Sequence, residues 1–199
     1  MALLPLALPA AQVALDPAWL APADADALFA TLLDAVAWEV HRIRLFGREV
    51  DSPRRSCWIG DADAIYTYSG TRFAPHPWPE ALQPVRARLQ RELGVDFNSV
   101  LANLYRDGRD RMGWHRDNER ELGPRPVIAS LSLGASRRFV FRQRADPTHK
   151  RAIMLGHGSL LWMAGNTQAH YQHALPATAK PVGARINLTF RHIEPGAPG

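Results

Sequence analysis

The sequence predicts an α+β protein that is mainly β, built as a sandwich or jelly roll with supporting helices near the N-terminus. Helical hydrophobic periodicity is confined to two segments before residue 94, and after residue 98 short strand-like segments follow one another without a helix between them. The 199 residues, with a hydrophobic content of 46%, suffice for one globular domain with its own core. We expect this domain to span residues 23–193, after an N-terminal arm (1–22) and before a tail (194–199).

The two helices are expected from about Asp24 to Trp38 and from about Pro79 to Leu93. In each segment apolar residues recur at spacings of three and four, which places them on one helical face. Gly94 is the expected stop of the second helix. Residues 1 to about 22 are rich in Ala, Pro and Leu and predict a loosely structured arm that docks on the body.

The strands are expected where apolar and polar residues alternate, or where short apolar runs lie between Gly, Pro or Asp residues. Two of them lie between the helices and the rest follow the second helix. The predicted strands are His41–Phe46, Ala64–Tyr68, Ser99–Tyr105, Val127–Leu133, Arg138–Arg142, Ala152–Leu155, Ser159–Met163, Ala169–Leu175 and Arg185–His192.

Composition restricts the function classes. The excess of 24 Lys and Arg over 19 Asp and Glu favours an anionic partner such as nucleic acid, although many basic proteins bind none. The single cysteine, Cys57, excludes an internal disulfide and a cysteine metal cluster. The apolar N-terminus lacks Lys and Arg and is interrupted by Pro5 and Pro9, and no apolar run reaches the length of a membrane span. We expect a cytoplasmic monomer without a membrane partner.

A possible metal site begins with the His115-Arg-Asp117 segment. On an extended backbone residues i and i+2 point to the same side, so an imidazole and a carboxylate can converge on one ion. This spacing is common by chance, and a third ligand is needed. His157 lies between two glycines and is typical of a turn, whereas His170 and His173 would face opposite sides of a strand, so at most one of them enters the site. Two histidines and one carboxylate leave positions open for an oxo-acid and dioxygen on Fe(II).

The segment from Arg185 to Arg191 alternates polar and apolar residues without exception. This pattern predicts a strand with one face in a core and the other lining a polar cavity. Arg185 and Arg191 then share the polar face, where a dicarboxylate such as 2-oxoglutarate would satisfy both guanidinium groups. The alternative is an ordinary amphipathic strand at the surface.

These residues resemble the AlkB family of DNA and RNA dealkylating dioxygenases, particularly its vertebrate second and third homologues. The matching blocks occur in the family's order across residues 40–193. They are Asn103-Leu-Tyr105-Arg-Asp-Gly, His115-Arg-Asp117-Asn-Glu119, Ile128-Ala-Ser-Leu-Ser-Leu-Gly134, Arg138-Phe-Val-Phe, His157-Gly-Ser-Leu-Leu, His173-Ala-Leu-Pro and Arg185-Ile-Asn-Leu-Thr-Phe-Arg191.

The resemblance implies a double-stranded β-helix (jelly roll) over residues 99–193, with a nucleotide-recognition lid and support helix over about residues 40–98. It implies His173 as the third iron ligand beside His115 and Asp117. It assigns the 2-oxoglutarate site to Asn103, Tyr105, Arg185, Asn187, Thr189 and Arg191.

The implied activity is oxidative dealkylation of bases of the 1-methyladenine and 3-methylcytosine type, as in DNA alkylation repair. The implied cofactors are Fe(II), 2-oxoglutarate and O2, and the products besides the repaired base are succinate, CO2 and an aldehyde. The implied partner is alkylated DNA, with RNA as a second candidate. Because a paired base cannot reach a buried metal, the damaged base would be flipped out of the helix.

Several residues resemble the family's substrate contacts. Phe46 and Gly47 match a hydrophobic finger that fills the space left by the flipped base, with Arg48 following onto the backbone; a core aromatic beside a glycine turn is the alternative. Tyr66 and Tyr68 match the lid, although two tyrosines on one strand face also serve packing, and Tyr68 stands where the duplex-acting homologue has phenylalanine.

Three further residues match positions near the base. Glu119 aligns with an acidic residue that faces it, against the alternative of a solvated loop glutamate. Asn118 and Arg151 fall near other contact positions. The arginines at positions 42, 44, 48, 54 and 55 are candidates for holding phosphates of a duplex or of a single strand.

Three other functions fit parts of the sequence. The first is a dioxygenase of the same type that hydroxylates a protein or a small molecule. The second is a nucleic-acid-binding homologue that has lost catalysis. The third is a cupin-like protein with another divalent metal, because His and carboxylate ligands accept several such ions.

Overall fold

The structure is a computed structural model that describes residues 2–45, 48–68 and 71–194. Its body consists of two antiparallel sheets that pack face to face, with two helices on the outside of the larger sheet. The strands are β1 (Leu4–Pro5), β2 (Gln12–Asp16), β3 (Arg42–Leu45), β4 (Arg48–Asp51), β5 (Arg55–Gly60), β6 (Tyr66–Tyr68), β7 (Thr71–Phe73), β8 (Ser99–Tyr105), β9 (Met112–His115), β10 (Ile128–Gly134), β11 (Arg137–Gln143), β12 (Lys150–Leu155), β13 (Leu160–Ala164), β14 (Tyr171–Leu175) and β15 (Arg185–Arg191). The helices are α1 (Pro22–Ala35), α2 (Gln83–Leu93) and the single turn α3 (Thr167–His170), with 3-10 turns at Glu80–Leu82 and Arg120–Leu122.

The larger sheet has seven strands in the order β1-β2-β13-β10-β15-β8-β5, and the smaller has four in the order β12-β11-β14-β9. Neighbouring strands are mostly distant in sequence, as expected when a chain winds back and forth between two sheets. Two separate two-stranded sheets, β3-β4 and β6-β7, lie on either side of β5 in the sequence. The predicted mainly β, jelly-roll architecture is confirmed.

Two apolar clusters hold the layers together. One lies between the helices and the large sheet. There Leu28, Leu32 and Leu89 of the helices pack against sheet residues that face them, such as Leu131 and Leu188. The other lies between the sheets and includes apolar side chains from both. Among the described residues, no helix is long and apolar enough to cross a membrane.

The helix predictions are correct in place and need adjustment at the ends. The first helix begins at Pro22, whose fixed φ suits the first turn, and it ends at Ala35 because Val36 is extended. The second starts as a 3-10 turn, becomes α-helical at Gln83 and stops at Gly94, which has the left-handed φ of +67° that favours glycine.

The prediction of a loosely structured arm over residues 1–22 is wrong. Strand β2 pairs with β13 along its whole length, from Gln12 opposite Ala164 to Asp16 opposite Leu160. Val13 and Ala14 are buried, so the segment extends the large sheet. The local sequence, rich in Ala and Pro, does not predict this strand. Its partner is a strand about 150 residues away, so no local pattern indicates the pairing.

Other strand boundaries also differ. The predicted strand Ala64–Tyr68 is shorter, since only residues 66–68 are extended, and Ala64 is buried in a turn. The predicted strand Ala169–Leu175 begins at Tyr171, because the preceding residues form the α3 turn. Strand β5 was not predicted, and it pairs along its length with β8 at the edge of the large sheet.

Candidate active site

His115 and His173 occupy directly opposed positions on the antiparallel strands β9 and β14. Their ring centroids lie 4.3 Å apart. The Nδ1 atom of His115 lies 2.9 Å from the carbonyl oxygen of Gly113, and an N–H donated there leaves the Nε2 lone pair for a metal. Burial lowers the pKa of His115 to about 3, which keeps its imidazole neutral at physiological pH.

Asp117 lies two residues beyond the end of β9, in a segment without regular structure. One carboxylate oxygen accepts a hydrogen bond from Arg191, and the other lies 3.4 Å from Nε2 of His173. Burial alone would raise the pKa of Asp117, but the charge of Arg191 and the contact with His173 outweigh it and hold the pKa well below its usual range. Candidate ligand atoms of His115, Asp117 and His173 all lie within 4.8 Å of one another.

The structure brings only one of the three late histidines to this group. His173 is buried, whereas His170 is exposed at the end of α3. His157 lies in the predicted turn, where its Nδ1 accepts a hydrogen bond from the N–H of Gly134. The expectation that His170 and His173 share a strand is wrong, although its consequence, that only one of them enters the site, holds.

A pocket of about 430 Å³ opens beside the three residues and lies between the two sheets. The polar residues of β15 line it, while Ile186, Leu188 and Phe190 point into the core on the other side. The predicted division of this strand into two faces is confirmed. The alternative of a surface strand is wrong, because β15 is buried throughout and has neighbours on both edges. The pocket lining is Leu101, Asn103, Tyr105, Met112, His115, Asp117, Ser130, Phe139, Met163, His173, Leu175, Arg185, Asn187, Thr189 and Arg191.

Arg185 is a buried cation in the lining of the pocket. Its side chain is 1% exposed, and its contacts are a 2.9 Å hydrogen bond to Ser132 and the ring of Tyr105, 5.3 Å from the guanidinium carbon. Within residues 2–45, 48–68 and 71–194, no acidic side chain pairs with it, and its Nε has no hydrogen-bond partner. Burial lowers its pKa to about 10, so the group is still charged at neutral pH. A buried charge of this kind requires an anionic ligand, which the far carboxylate of 2-oxoglutarate would supply.

The two arginines of β15 have different neighbours within the described residues. Arg191 pairs with Asp117, whose carboxylate lies at its end of the strand. Only Arg185 therefore lacks an acidic partner in the described part of the pocket. Both arginines nevertheless line the pocket, and the assignment of Arg191 to the 2-oxoglutarate site stays a prediction.

The remaining polar side chains of the pocket form two hydrogen-bonded groups, one around Asn187 and one around Asn103. Asn187 donates through Nδ2 to the Ser130 hydroxyl at 2.8 Å and accepts from Thr189 at 3.2 Å. Asn103 accepts a 2.7 Å hydrogen bond from Nε of Arg54, which leaves the amide N–H groups of Asn103 to act as donors. The amide of Asn187 donates to Ser130 and to the carbonyl of Leu131, so Asn103 is the amide of the two that can donate to an oxygen-rich ligand.

Arg54 itself contradicts one expectation. As a candidate for phosphate binding it should be exposed, but it is buried and bonded to Asn103 and Ser52. Its neighbour Arg55 is exposed. Nε of Arg42 lies 3.9 Å from Oδ1 of Asp51. Arg54 therefore belongs to the scaffold of the pocket and not to a phosphate-binding surface.

Sequence reasoning missed several residues of the site. Ser130 and Ser132 lie opposite Thr189 and Asn187 in register and hydrogen-bond the polar face of β15. Their alternation with apolar residues in β10 is a signal that could have found them. Phe139, whose ring stacks on His173 at 5.3 Å between centroids, has no such signal.

The predicted substrate residues are only partly described. Oε2 of Glu119 is buried and has no hydrogen-bond partner among the described residues, while Asn118 and Arg151 are exposed. Arg48, Tyr66 and Tyr68 lie on strands of the two hairpins. Phe46 and Gly47 lie outside the described residues. The roles of all eight remain predictions.

Comparison with known proteins adds a family. Residues 12–191 match the profile of the 2OG-Fe(II) oxygenase superfamily. The mouse protein named DNA oxidative demethylase ALKBH2 is 41% identical over 184 residues, covering 87% of this chain and 77% of that protein. The human alpha-ketoglutarate-dependent dioxygenase alkB homolog 3 is 37% identical over 199 residues, which cover 94% of this chain and 69% of that protein.

A solved structure, described as the structure of OsALKBH1, shares the fold. It superimposes with a TM-score of 0.62 at 15% sequence identity and covers 96% of this chain and all of that one. Identity at this level bears on architecture alone. It agrees with the two-sheet arrangement described above.

Proposed function

The chain belongs to the 2OG-Fe(II) oxygenase superfamily, and on this premise we propose that it is a DNA oxidative demethylase that repairs N-alkylated bases. The lesions are of the 1-methyladenine and 3-methylcytosine type. The co-substrates are 2-oxoglutarate and O2, and the products are the repaired base, succinate, CO2 and an aldehyde. Sequence identity of 41% to mouse and human proteins named as DNA oxidative demethylases supports the substrate class.

One structural observation carries the proposal. A buried arginine that has no acidic partner among the described residues and a compact His-Asp-His group line the same pocket. Metal-binding proteins in general need only the second feature, whereas an oxo-acid co-substrate needs both. The arrangement therefore favours an oxo-acid-dependent oxygenase over a cupin-like protein with another activity.

Each group of residues has a proposed part in the reaction. His115, Asp117 and His173 hold Fe(II), which together with 2-oxoglutarate and O2 supplies the oxidation of the alkyl carbon. Arg185 pairs with the far carboxylate of the co-substrate, while Asn103, Tyr105, Asn187 and Thr189 orient its remaining oxygens. Arg191 holds the carboxylate of Asp117 in place, and we propose it as a further contact of 2-oxoglutarate. The apolar walls exclude water, so the chain contributes positioning and not a general base.

Recognition of the damaged base is proposed for the surface around the pocket. Glu119 would face the cationic ring, Phe46 and Gly47 would fill the gap in the helix, and Tyr66 and Tyr68 would cover the flipped base. Arg48, Asn118 and Arg151 are proposed as further contacts. We also propose that residues 40–98 supply the nucleotide-recognition lid and its support helix, and that residues 23–193 form one dioxygenase domain together with the N-terminal strands β1 and β2. We further propose that the protein acts as a monomer and that RNA is a second substrate.

The proposal is tested by product mass. The protein is loaded anaerobically with Fe(II) and mixed in air with 2-oxoglutarate, ascorbate and oligonucleotides that carry 1-methyladenine or 3-methylcytosine. We expect each modified strand to lose the mass of one CH2, with succinate released in equal amount, and His115→Ala to abolish both. Unchanged strand masses without lesion-stimulated succinate would refute the proposal, and succinate stimulated by a protein or small molecule would favour the hydroxylase alternative.

A further inference from the structure

Asp117 differs from the two histidines in how its backbone is held. His115 and His173 are fixed by the pairing of β9 with β14, but β9 ends at His115 and Asp117 has no place in that ladder. Its backbone N–H is nevertheless bonded: it donates to Oε1 of Gln168 at 3.1 Å. Gln168 lies 51 residues further along the chain and is 3% exposed.

The side chain of Gln168 has one defined orientation. Its Nε2 lies 3.8 Å from the sulfur of Met163, a weak acceptor, so its oxygen is the end turned to Asp117. A buried N–H without an acceptor costs free energy, and a carboxylate whose backbone is free to rotate cannot keep a fixed position. Gln168 removes both problems with a single hydrogen bond.

Gln168 is in turn held by the N-terminal segment Pro9–Gln12. The hydroxyl of Thr167, the preceding residue, accepts from the N–H of Gln12 at 3.0 Å and lies 2.6 Å from the carbonyl of Ala164. On the other side of Gln168, the hydroxyl of Tyr171 donates to the carbonyl of Pro9 at 3.1 Å. The N-terminal segment thus contacts both ends of the α3 turn that carries Gln168.

We propose that Gln168 is a positioning residue for the metal ligand Asp117, and that the Pro9–Gln12 segment keeps Gln168 in place. This inference rests on the proposed metal site. It gives the N-terminal segment a role, because a one-turn helix is too short to hold its own shape. It also explains why two of the three ligands need only the sheet whereas the third needs a side chain from elsewhere.

The test compares two glutamines. Gln168→Met removes the acceptor with little change of volume. Gln172→Met is the matched control: it lies one residue before His173 and accepts a hydrogen bond from Arg142 without touching a ligand. The full-length variants are titrated with Mn(II) by calorimetry, and the visible absorption spectrum of the Co(II)-loaded forms reports the ligand geometry.

We expect the Mn(II) dissociation constant of Gln168→Met to rise about 10-fold or more, the usual effect of losing a group that orients a metal ligand, and its Co(II) spectrum to change. Gln172→Met should leave both unchanged. Wild-type Mn(II) affinity and an unaltered Co(II) spectrum in folded Gln168→Met would overturn the proposal.

Thr167→Val, which keeps the shape of the side chain, tests whether the Pro9–Gln12 segment holds Gln168 in place. It also provides a second variant should Gln168→Met fail to fold. We expect a loss of Mn(II) affinity smaller than that of Gln168→Met, and unchanged affinity would overturn the role of the segment. Metal titration does not involve DNA. A wild-type protein that binds Mn(II) but leaves alkylated DNA unchanged would therefore refute the proposed function and not this inference.

Discussion

His115 faces His173 directly across two antiparallel strands, although 58 residues separate them in the sequence. Opposed side chains on such strands lie about 5 Å apart at Cβ, a separation that lets two imidazoles bind one ion. The pairing of β9 with β14 therefore brings together two of the three candidate metal ligands.

The choice of His173 over His170 as the third ligand is tested by replacing each of these histidines with alanine. We expect His173→Ala to lose Mn(II) binding and succinate formation, because it removes a buried ligand from the strand pair. His170→Ala, an exposed change on the α3 turn, should retain both. Calorimetry and a succinate assay make the measurement. Retention of metal in His173→Ala, or equal losses in the two variants, would contradict the assignment.

Arg185→Met tests the co-substrate site. Truncating one side of a buried charged pair costs about 2–5 kcal/mol, so the KM for 2-oxoglutarate should rise about 30-fold or more. Without co-substrate, the melting temperature of the variant should be at most a few degrees below that of wild type. The reason is that the substitution removes a buried charge that has no acidic partner among the described residues. Arg86→Met is the control: Arg86 pairs with Asp61 away from the pocket, so this variant should lose thermal stability and keep the wild-type KM.

The ion pair between Asp117 and Arg191 predicts a pH-dependent contribution to stability. The pKa of Asp117 is lower in the folded protein than in the unfolded chain, so the carboxylate stabilises the fold above the unfolded pKa, about 3.9. That contribution is lost as the pH falls toward the folded pKa. Asp117→Asn should destabilise the metal-free protein at pH 7 by about 3–5 kcal/mol, the usual cost of breaking a buried pair.

Urea unfolding of the two metal-free proteins between pH 7 and pH 3 checks this prediction. The difference in unfolding free energy should be constant above about pH 5 and shrink below about pH 4. A difference that does not vary over this range would mean that the carboxylate of Asp117 is not stabilised by Arg191.

Glu119→Gln tests recognition of charge on the base. The buried, unpaired Oε2 suits a cationic ring, and a hydrogen bond to a charged group contributes about 1.5–3 kcal/mol. We expect kcat/KM for 3-methylcytosine to fall about 10-fold or more and that for an uncharged alkylated base to fall much less. The uncharged lesion is the internal control. Equal losses on both substrates would return Glu119 to a structural role.

Phe46→Ala tests the proposed finger. If Phe46 fills the space left by a flipped base, its loss should lower the rate on duplex DNA by more than the rate on the same lesion in a single strand. The ratio of the two rates is the measurement, so that a general loss of stability cancels. An unchanged ratio would indicate a packing residue.

Local patterns explain how much of the site could be predicted. The His-x-Asp spacing and the alternation from Arg185 to Arg191 depend only on the geometry of an extended chain, which is the same wherever the strand lies. The two outer helices follow from apolar periodicity for the same reason. These features predicted the mainly β class, two of the three candidate metal ligands and the polar wall of the pocket.

The tertiary structure alone decided which distant residues meet. It placed Asp117 beside Arg191, left Arg185 without an acidic partner among the described residues, buried Arg54 against Asn103 and added the N-terminal strand to the large sheet. Each of these contacts joins segments that are far apart in the chain, and no local spacing encodes them. Strand order and register determine them, because these place specific side chains opposite one another.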